Sequence, residues 1–180
     1  MSAERPVAVL DSSVLVPQWS RIALVRMAER RDAPFSPVWS EWIIGETWRV
    51  LTSQWLARAT GVDAVQRRSL ARTANQMMRY LIPVMILVSL RGYAGPEPWP
   101  QLPDPDDAPL WETAVVAGAR YVISHNVRHF PPLVQGRYVY QGVEYLTAVE
   151  FVEDLLGESA AVLFGGPVPA GGTVRSRRVG

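Results

Sequence analysis

Short apolar runs that end at a polar residue alternate along this chain with longer segments of helical periodicity. Val7–Leu10, a branched-rich run between Pro6 and Asp11, is typical of a buried strand. The same character recurs in three later segments, which are Val84–Val88, Tyr121–Ser124 and, more weakly, Tyr138–Tyr140. Strands that alternate with helices predict a three-layer α/β/α fold whose central, mostly parallel sheet has four to five strands. In such sheets, ligands bind beyond the carboxyl ends of the strands.

Helices are expected between and after these strands, because apolar residues recur there three or four positions apart. We place them at residues 20–31, from Ser36-Pro37 to about Arg58, at residues 63–81, from Asp104-Pro105 to about Gly118, and at residues 147–156. Ser36 followed by Pro37 has the residue types of an N-cap and a first helical position. The stripe of that helix expected to be buried consists of Ile44, Trp48, Leu51 and Trp55. Gly92–Pro103 is expected to be a loop.

The chain of 180 residues suits one domain, and 48% apolar with 19% charged residues indicates a globular rather than a disordered chain. It has no cysteine, which excludes disulfides, thiolate zinc sites and a cysteine nucleophile. Its most apolar segment, Leu81–Leu90, is interrupted by Pro83 and has about half the length of a membrane span. With no secretory signal visible, we expect a soluble, cytoplasmic protein without a membrane partner. We assign residues 1–157 to the domain and residues 158–180 to a flexible tail.

Two acidic residues are at informative positions. One lies where such a sheet binds its ligand, and the other lies where an unpaired charge is costly. Asp11 ends the first strand, although Asp-Ser-Ser is also ordinary turn chemistry. Glu46 shares its predicted helix face with apolar residues, among them Trp42 and Ile43. A carboxylate there needs either a salt bridge, for which Arg49 is available, or a metal ion. The residues by themselves leave both interpretations open.

The densest acidic cluster is Asp104, Asp106 and Asp107. Asp104 has the position of an N-cap before Pro105, and Asp107 has that of the acid in a capping box. One cap needs one or two acids, however, and a bound cation would relieve the repulsion that a third acid adds. The cluster is therefore interpreted as a helix cap, a cation site or both.

Asn126 follows the third predicted strand and belongs at the same edge of the sheet as Asp11. Carboxylate and amide oxygens are ligands that Mg²⁺ prefers. His125 and His129 are expected to be surface residues rather than ligands, and a zinc site is disfavoured. All eighteen basic residues are arginines and the net charge is +1, so no strong overall attraction to polyanions is expected.

Taken in order, these segments resemble the PIN-domain nucleases, and within them the VapC-like branch. The matching segments are Val9–Leu15, Ser36-Pro37 through Glu46–Leu51, Pro103–Asp107, Ala117–Pro131 and the closing Val143–Leu156. The resemblance implies that Asp11, Glu46 and Asp107 form the acidic triad that binds Mg²⁺ or Mn²⁺. It also implies that Asp104 is an accessory metal ligand and that Asn126 stands where many members have a fourth acid.

The activity that this resemblance implies is metal-dependent hydrolysis of RNA phosphodiesters, with the acidic triad as the catalytic residues. Ser12 and Asn126 would orient water or the phosphate. Arg128, Arg68 and Arg72 would contact the RNA backbone. Members of the family are commonly toxins neutralised by a small antitoxin protein, and many are homodimers. An antitoxin partner and a homodimer are therefore expected for this chain.

Three other functions are consistent with the residues. The same acids would serve a nuclease that cuts DNA or another phosphoesterase. A phosphomonoesterase with a covalent aspartyl intermediate usually needs a second acid soon after the first. Here Ser12 and Ser13 follow Asp11, which argues against such an enzyme. Asn126 in place of an acid favours a non-catalytic module that binds RNA or protein. A purely structural interpretation treats every acid as a cap or a salt bridge.

Overall fold

One mixed sheet organises the part of the chain that the structure describes. The structure is a computed structural model, and it describes residues 5–58, 63–93 and 104–157. Its strands are β1 (Val7–Leu10), β2 (Ser36–Ser40), β3 (Ile86–Val88), β4 (Tyr121–Ile123), β5 (Tyr138–Tyr140) and β6 (Val143–Leu146). They pair in the order β3-β2-β1-β4-β6-β5, and every pairing is parallel except that of β5 with β6. Helices flank this sheet, which confirms the predicted α/β fold class.

The sheet has six strands rather than four to five because β2 lies where the sequence predicts the start of a helix. Ser36-Pro37 does not begin a helix, and Pro37 is buried in the sheet opposite Ala8 of β1. The proline takes one backbone donor out of the ladder. Val38 and Trp39 have side chains that favour strands, and both are buried here. Burial in the sheet therefore outweighs the local preference for a helix start.

The next helix, α3 (Glu41–Arg58), begins later than predicted and turns a different face to the core. Its buried positions lie four residues apart and are Ile43, Thr47 and Leu51. Trp48 was expected in the buried stripe, but it is 41% exposed, and its Nε1 donates to Asn75 Oδ1 at 3.1 Å. The prediction for Trp48 is wrong because the observed helix buries Thr47, one position earlier, whereas Leu51 is buried as predicted. The side chain of Trp55 lies outside the described residues.

The remaining helices agree more closely with the sequence, apart from a one-turn helix at Ser12–Leu15 that the sequence does not predict. They are α1 (Ser12–Leu15), α2 (Gln18–Ala28), α4 (Ala64–Leu81), α5 (Ala108–Val116) and α6 (Ala148–Leu156). Asp63 caps α4 and Thr147 caps α6, each through a reciprocal capping box. The helix predicted from Asp104 begins as a 3-10 turn over Pro105–Asp107. None of the described helices has the length and apolar character needed to cross a membrane.

Strand β3 lies at one edge of the sheet, although the sequence predicts a buried strand there. It pairs with β2 alone, and Ile86 and Leu87 are 52% and 57% exposed. An apolar run does not distinguish a central strand from an edge strand, because that depends on the order of the strands. Most of the loop predicted at Gly92–Pro103, from residue 94 onward, and the tail predicted at residues 158–180 lie outside the described residues.

The order of the strands reverses at β1, which lies between β2 and β4. The chain passes from β1 to β2 and β3 on one side, and then returns to β4 on the other side. In open parallel sheets, this reversal forms a crevice at the carboxyl ends of the two central strands. Asp11 directly follows β1 and Ser124 directly follows β4. The topology therefore brings polar residues from two distant parts of the chain to one crevice.

Candidate metal centre

A cleft of about 640 Å³ opens at this crevice. Three of the acids that the sequence predicts as metal ligands line it: Asp11 after β1, Glu46 in α3 and Asp107 before α5. Asn126, which follows β4 by three residues, lines the same cleft. The structure thus brings together four predicted site residues that lie far apart in the sequence.

Asp11 is buried, and three serine hydroxyls hold its carboxylate. Ser13 Oγ donates to Asp11 Oδ2 at 2.6 Å, and Ser124 Oγ donates to the same oxygen at 2.7 Å. Ser12 Oγ donates to Asp11 Oδ1 at 3.3 Å. Ser13 Oγ also accepts the backbone N–H of His125 at 2.9 Å, which ties α1 to the end of β4. Asp11 makes no side-chain cap bond with α1, so its carboxylate is fixed at the cleft rather than used as a helix cap.

Glu46 has the environment of a carboxylate that needs a cation. Burial is the main cause that raises the pKa of Glu46, the charge of Asp11 raises it further, and a hydrogen bond with Ser12 opposes the rise. Arg49 Nη2 lies 3.6 Å from Glu46 Oε1, as the salt-bridge interpretation expects, but the Arg49 side chain is 70% exposed. An exposed pair of this kind contributes little. The salt bridge therefore does not offset the cost of the charge on Glu46.

Asp107 and Asp104 face His129, which the sequence predicts to be a surface residue. His129 Nδ1 lies 2.7 Å from Asp107 Oδ2 and 3.6 Å from Asp104 Oδ2. Among the described residues, these three side chains form the group whose ligand atoms all lie within 4.8 Å of one another. The chain makes a 3-10 turn at Val127–His129, a few residues after β4, and this turn brings the partly exposed imidazole to the acids.

The capping interpretation of this cluster holds for Asp104 and fails for Asp107. Asp104 Oδ1 accepts the backbone N–H of Asp106 at 3.0 Å, whereas Asp107 makes no side-chain cap bond with α5. Burial is the main cause that raises the pKa of Asp107. His129 opposes this rise, and the charges of Asp11 and Asp104 add to it. Asp107 is therefore a partly buried charge that faces other carboxylates.

A family model described as the PIN domain matches residues 7–128, which is more than half of the chain. The chain belongs to the PIN-domain family. PIN domains have a nuclease fold and are usually metal-dependent nucleases. The matched region contains Asp11, Glu46, Asp107 and Asn126, the residues that line the cleft. Comparisons with curated proteins and with solved structures find no match.

The donor set of this PIN domain fits a divalent cation. Carboxylate oxygens come from Asp11, Glu46, Asp104 and Asp107, and these are the ligands that Mg²⁺ and Mn²⁺ prefer. The ring nitrogen of His129 adds a donor that transition metals accept more readily than Mg²⁺ does. The sequence marks out His129 only by its position a few residues after a strand end. That position does not show which way the imidazole ring points.

His125 packs against Trp19, with ring centroids 4.8 Å apart. Burial lowers the pKa of His125 to about 4 and so outweighs the opposing charge of Asp11. The imidazole is therefore uncharged at neutral pH. It brings no positive charge to the acids of the PIN domain.

The arginines that the sequence proposes for phosphate contacts lie outside the cleft. Arg128 is exposed and is not among the described residues that line it. Arg68 and Arg72 are exposed on α4, whose Met77 lines the cleft. At 100° per residue, Arg68 points about 180° away from Met77. Any contact of these three arginines with RNA would be made on the outer surface.

Glu46→Gln is expected to stabilise the metal-free PIN domain at neutral pH. The folded state raises the pKa of Glu46 above its value in the unfolded chain. At a pH between these two values, the folded protein therefore binds more protons than the unfolded protein does. The free energy of unfolding of the wild type therefore falls as the pH rises through that range, and glutamine removes this loss. We expect a gain of at most about 1 kcal/mol, the size of one part-exposed charge interaction.

Melting temperatures of both proteins in EDTA, from pH 4 to pH 8, test this expectation. The stabilisation should be present at pH 7 to 8 and should shrink toward pH 4, where the wild-type carboxyl is protonated. Comparing the variant with the wild type removes the contribution of His125, which titrates in both proteins. An identical dependence of the melting temperature on pH in the two proteins would mean that folding does not raise the pKa of Glu46.

Proposed function

We propose that this PIN domain is a ribonuclease that hydrolyses RNA phosphodiesters with Mg²⁺ or Mn²⁺, and that it is the toxin component of a toxin–antitoxin module. The observation that supports the nuclease most directly is the meeting of Asp11, Glu46 and Asp107 in one cleft. The pKa values of Glu46 and Asp107 are both raised, by burial first and by neighbouring carboxylates as well. Acids that disfavour one another's charge in this way are typical of sites that bind a cation.

The acids would hold the metal ion. Asp11, Glu46 and Asp107 are the proposed ligands, and Asp104 joins them from beside Asp107. When bound, the ion supplies a Lewis acid that lowers the pKa of water and stabilises charge on the phosphate. The serine hydroxyls around Asp11 keep its carboxylate turned toward the cleft.

Neighbouring polar residues would orient the substrate. Ser12 Oγ donates to Asp11 Oδ1 at 3.3 Å and also lowers the pKa of Glu46, so its hydroxyl lies near two of the proposed ligands. Asn126 lines the same cleft, where its amide can donate to a phosphate oxygen or a water. Arg128 is exposed, and we propose that it contacts the RNA backbone outside the cleft.

The toxin role and the partners are supported by the resemblance to the VapC-like branch rather than by the site. Toxins of that branch are commonly neutralised by a small antitoxin protein, and many form homodimers. We propose both partners for this chain. A toxin that cleaves cellular RNA acts in the cytoplasm, which is the location that this proposal assigns.

A non-catalytic PIN module that binds RNA or protein is the second candidate, and Asn126 is the residue that favours it. Its Nδ2 lies 2.8 Å from His129 Nδ1, at a position where the family resemblance implies an acid in many members. The cleft therefore carries one negative charge less than theirs. A second metal ion would bind less tightly for that reason.

The proposal is tested with the purified protein and three substrates in separate reactions: mixed cellular RNA, single-stranded DNA and a phosphomonoester. Each reaction is run in Mn²⁺, in Mg²⁺ and in EDTA. We expect RNA to be cut in either metal and to stay intact in EDTA. Cleavage of DNA alone, or release of phosphate alone, would replace the ribonuclease by another metal-dependent phosphoesterase.

A calorimetric titration with Mn²⁺ separates the two main candidates when no substrate is cut. Binding of Mn²⁺ without cleavage would favour the non-catalytic module or a toxin with a narrower RNA target. No heat of binding at all would contradict a metal-dependent nuclease.

A further inference from the structure

Arg21 is the basic residue of the cleft. The described residues that line the cleft include the carboxylates of Asp11, Glu46 and Asp107 and one basic side chain, that of Arg21 in α2. Among the described residues, no carboxylate lies within ion-pair distance of its guanidinium. The sequence does not single out Arg21, because it is one of eighteen arginines and stands in no motif.

Two hydrogen bonds hold the Arg21 side chain in a fixed direction. Its Nη1 donates to the backbone oxygen of Leu15 at 2.9 Å and to that of Val16 at 2.7 Å. These carbonyls lie at the end of α1, so one role of Arg21 is to cap that short helix. A guanidinium has five N–H donors, and within the described part of the chain Nε and Nη2 have no acceptor. Arg21 is therefore oriented by the protein and still able to bind a ligand.

The positive charge of Arg21 is only partly exposed to solvent. Burial lowers the pKa of Arg21, although an arginine stays protonated in proteins. A partly desolvated cation without a carboxylate partner is stabilised by an anionic ligand. The planar guanidinium matches the geometry of a phosphate, which it can bind through two parallel hydrogen bonds.

The cleft that Arg21 lines has apolar as well as polar and acidic lining residues. Its apolar wall consists of Val16, Pro17, Val50, Leu51 and Met77. Nucleobases have apolar faces that pack on side chains when a base leaves its stack. A volume of about 640 Å³ lies within the range of clefts that hold an organic ligand. The cleft thus offers a cation and an apolar surface next to the acids.

We propose that Arg21 binds the phosphate next to the one that is cleaved, with the nucleoside between the two phosphates packed against the apolar wall. This inference rests on the proposed RNA substrate. It identifies Arg21 as a residue that favours binding of an RNA strand over binding of a single nucleotide. Arg21 offsets part of the repulsion between the strand and the three carboxylates. It is a substrate-binding residue and takes no part in breaking the bond.

The test measures binding without cleavage. A fluorescently labelled, ten-nucleotide, single-stranded RNA is titrated with wild type, Arg21→Gln and Arg79→Gln in Ca²⁺ at several salt concentrations. We expect Arg21→Gln to weaken binding about tenfold, as the loss of a charged hydrogen bond does. The slope of log affinity against log salt should become about 0.7 smaller in magnitude, because one phosphate contact on a single strand is lost. Arg79→Gln removes the same charge from an exposed position of α4 and should bind within about twofold of wild type.

Arg21→Lys covers the case in which the glutamine variant does not fold. Lysine keeps the charge and can donate to the α1 carbonyls, so we expect a several-fold loss of affinity with the wild-type salt dependence. Wild-type affinity in whichever variant folds would mean that Arg21 only caps α1 and would overturn the proposal. A wild-type protein that does not bind the RNA would also overturn it.

Cleavage of RNA by the wild type in Mn²⁺ is measured in a separate assay from the binding titration. If the nuclease proposal fails, cleavage is absent while the binding comparison can still be made. If only the role of Arg21 fails, cleavage is present and the variants bind like the wild type. The two failures are therefore distinguishable.

Discussion

Replacing Asp11 by asparagine is expected to lower metal-dependent RNA cleavage by about a hundredfold or more. Asp11 is 7% exposed, and hydroxyls of Ser12, Ser13 and Ser124 keep its carboxylate at the cleft. Asparagine preserves the shape of the side chain but removes the charge that would hold the metal. A bound metal ion contributes several kcal/mol to transition-state stabilisation, and each 1.36 kcal/mol is a factor of ten in rate. Initial rates in saturating Mn²⁺ measure this effect.

Asp63→Asn is the matched control for Asp11→Asn. Asp63 is exposed and caps α4 by accepting the backbone N–H of Gln66 at 2.8 Å, and asparagine caps a helix as well as aspartate does. This variant should cleave RNA within about twofold of the wild type. Melting temperatures in EDTA show whether Asp11→Asn is folded. Full activity in a folded Asp11→Asn protein would contradict a metal site at this carboxylate.

A loss of about 3–5 kcal/mol in the free energy of unfolding is expected when Trp111 is replaced by alanine. Trp111 of α5 is fully buried, and its ring packs edge-on against Tyr140 with centroids 5.0 Å apart. Domains of this size are usually stable by about 5–15 kcal/mol, so the variant would lose a large part of its stability. Because α5 directly follows Asp107, the same change should also loosen the cleft. Urea denaturation of the metal-free protein measures the loss.

Trp48→Ala is the comparison for Trp111→Ala, because it removes the same side chain from a position that the sequence predicts to be buried. Trp48 is 41% exposed, and the described contact of its indole nitrogen is the hydrogen bond to Asn75. We expect its replacement to cost no more than about 1 kcal/mol. Equal losses in the two variants would contradict the orientation of α3 described here.

The sequence by itself determined where strands and helices alternate and where the acids stand along the chain. Val7–Leu10 could be read as a strand, and Asp11 as its polar end, from neighbouring residues alone. The helices at residues 63–81 and 147–156 were also placed from local sequence, and each begins with a capping box, which joins residues three apart. The rule that ligands bind at strand ends then placed Asp11 and Asn126 near the cleft before any distance was known.

Local patterns failed where burial competes with them. Ser36-Pro37 has the chemistry of a helix start, yet it lies in β2, because pairing with β1 buries Val38 and Trp39. The phase of α3 is set by what packs on it, so Thr47 is buried and Trp48 is not. Propensities of about 1 kcal/mol or less per residue do not outweigh the burial of large apolar side chains.

The make-up of the cleft was decided by the tertiary structure alone. His129 reaches Asp104 and Asp107, and Arg21 lines the cleft that holds the acids, although no spacing in the sequence links any of these residues. Their meeting depends on the reversal of strand order at β1 and on the turn after β4. Strand order follows from the burial summed over all the elements, which is a property of the whole fold and not of any segment. The acids were therefore predictable as a type of site, whereas the side chains that surround them became visible only once the sheet was assembled.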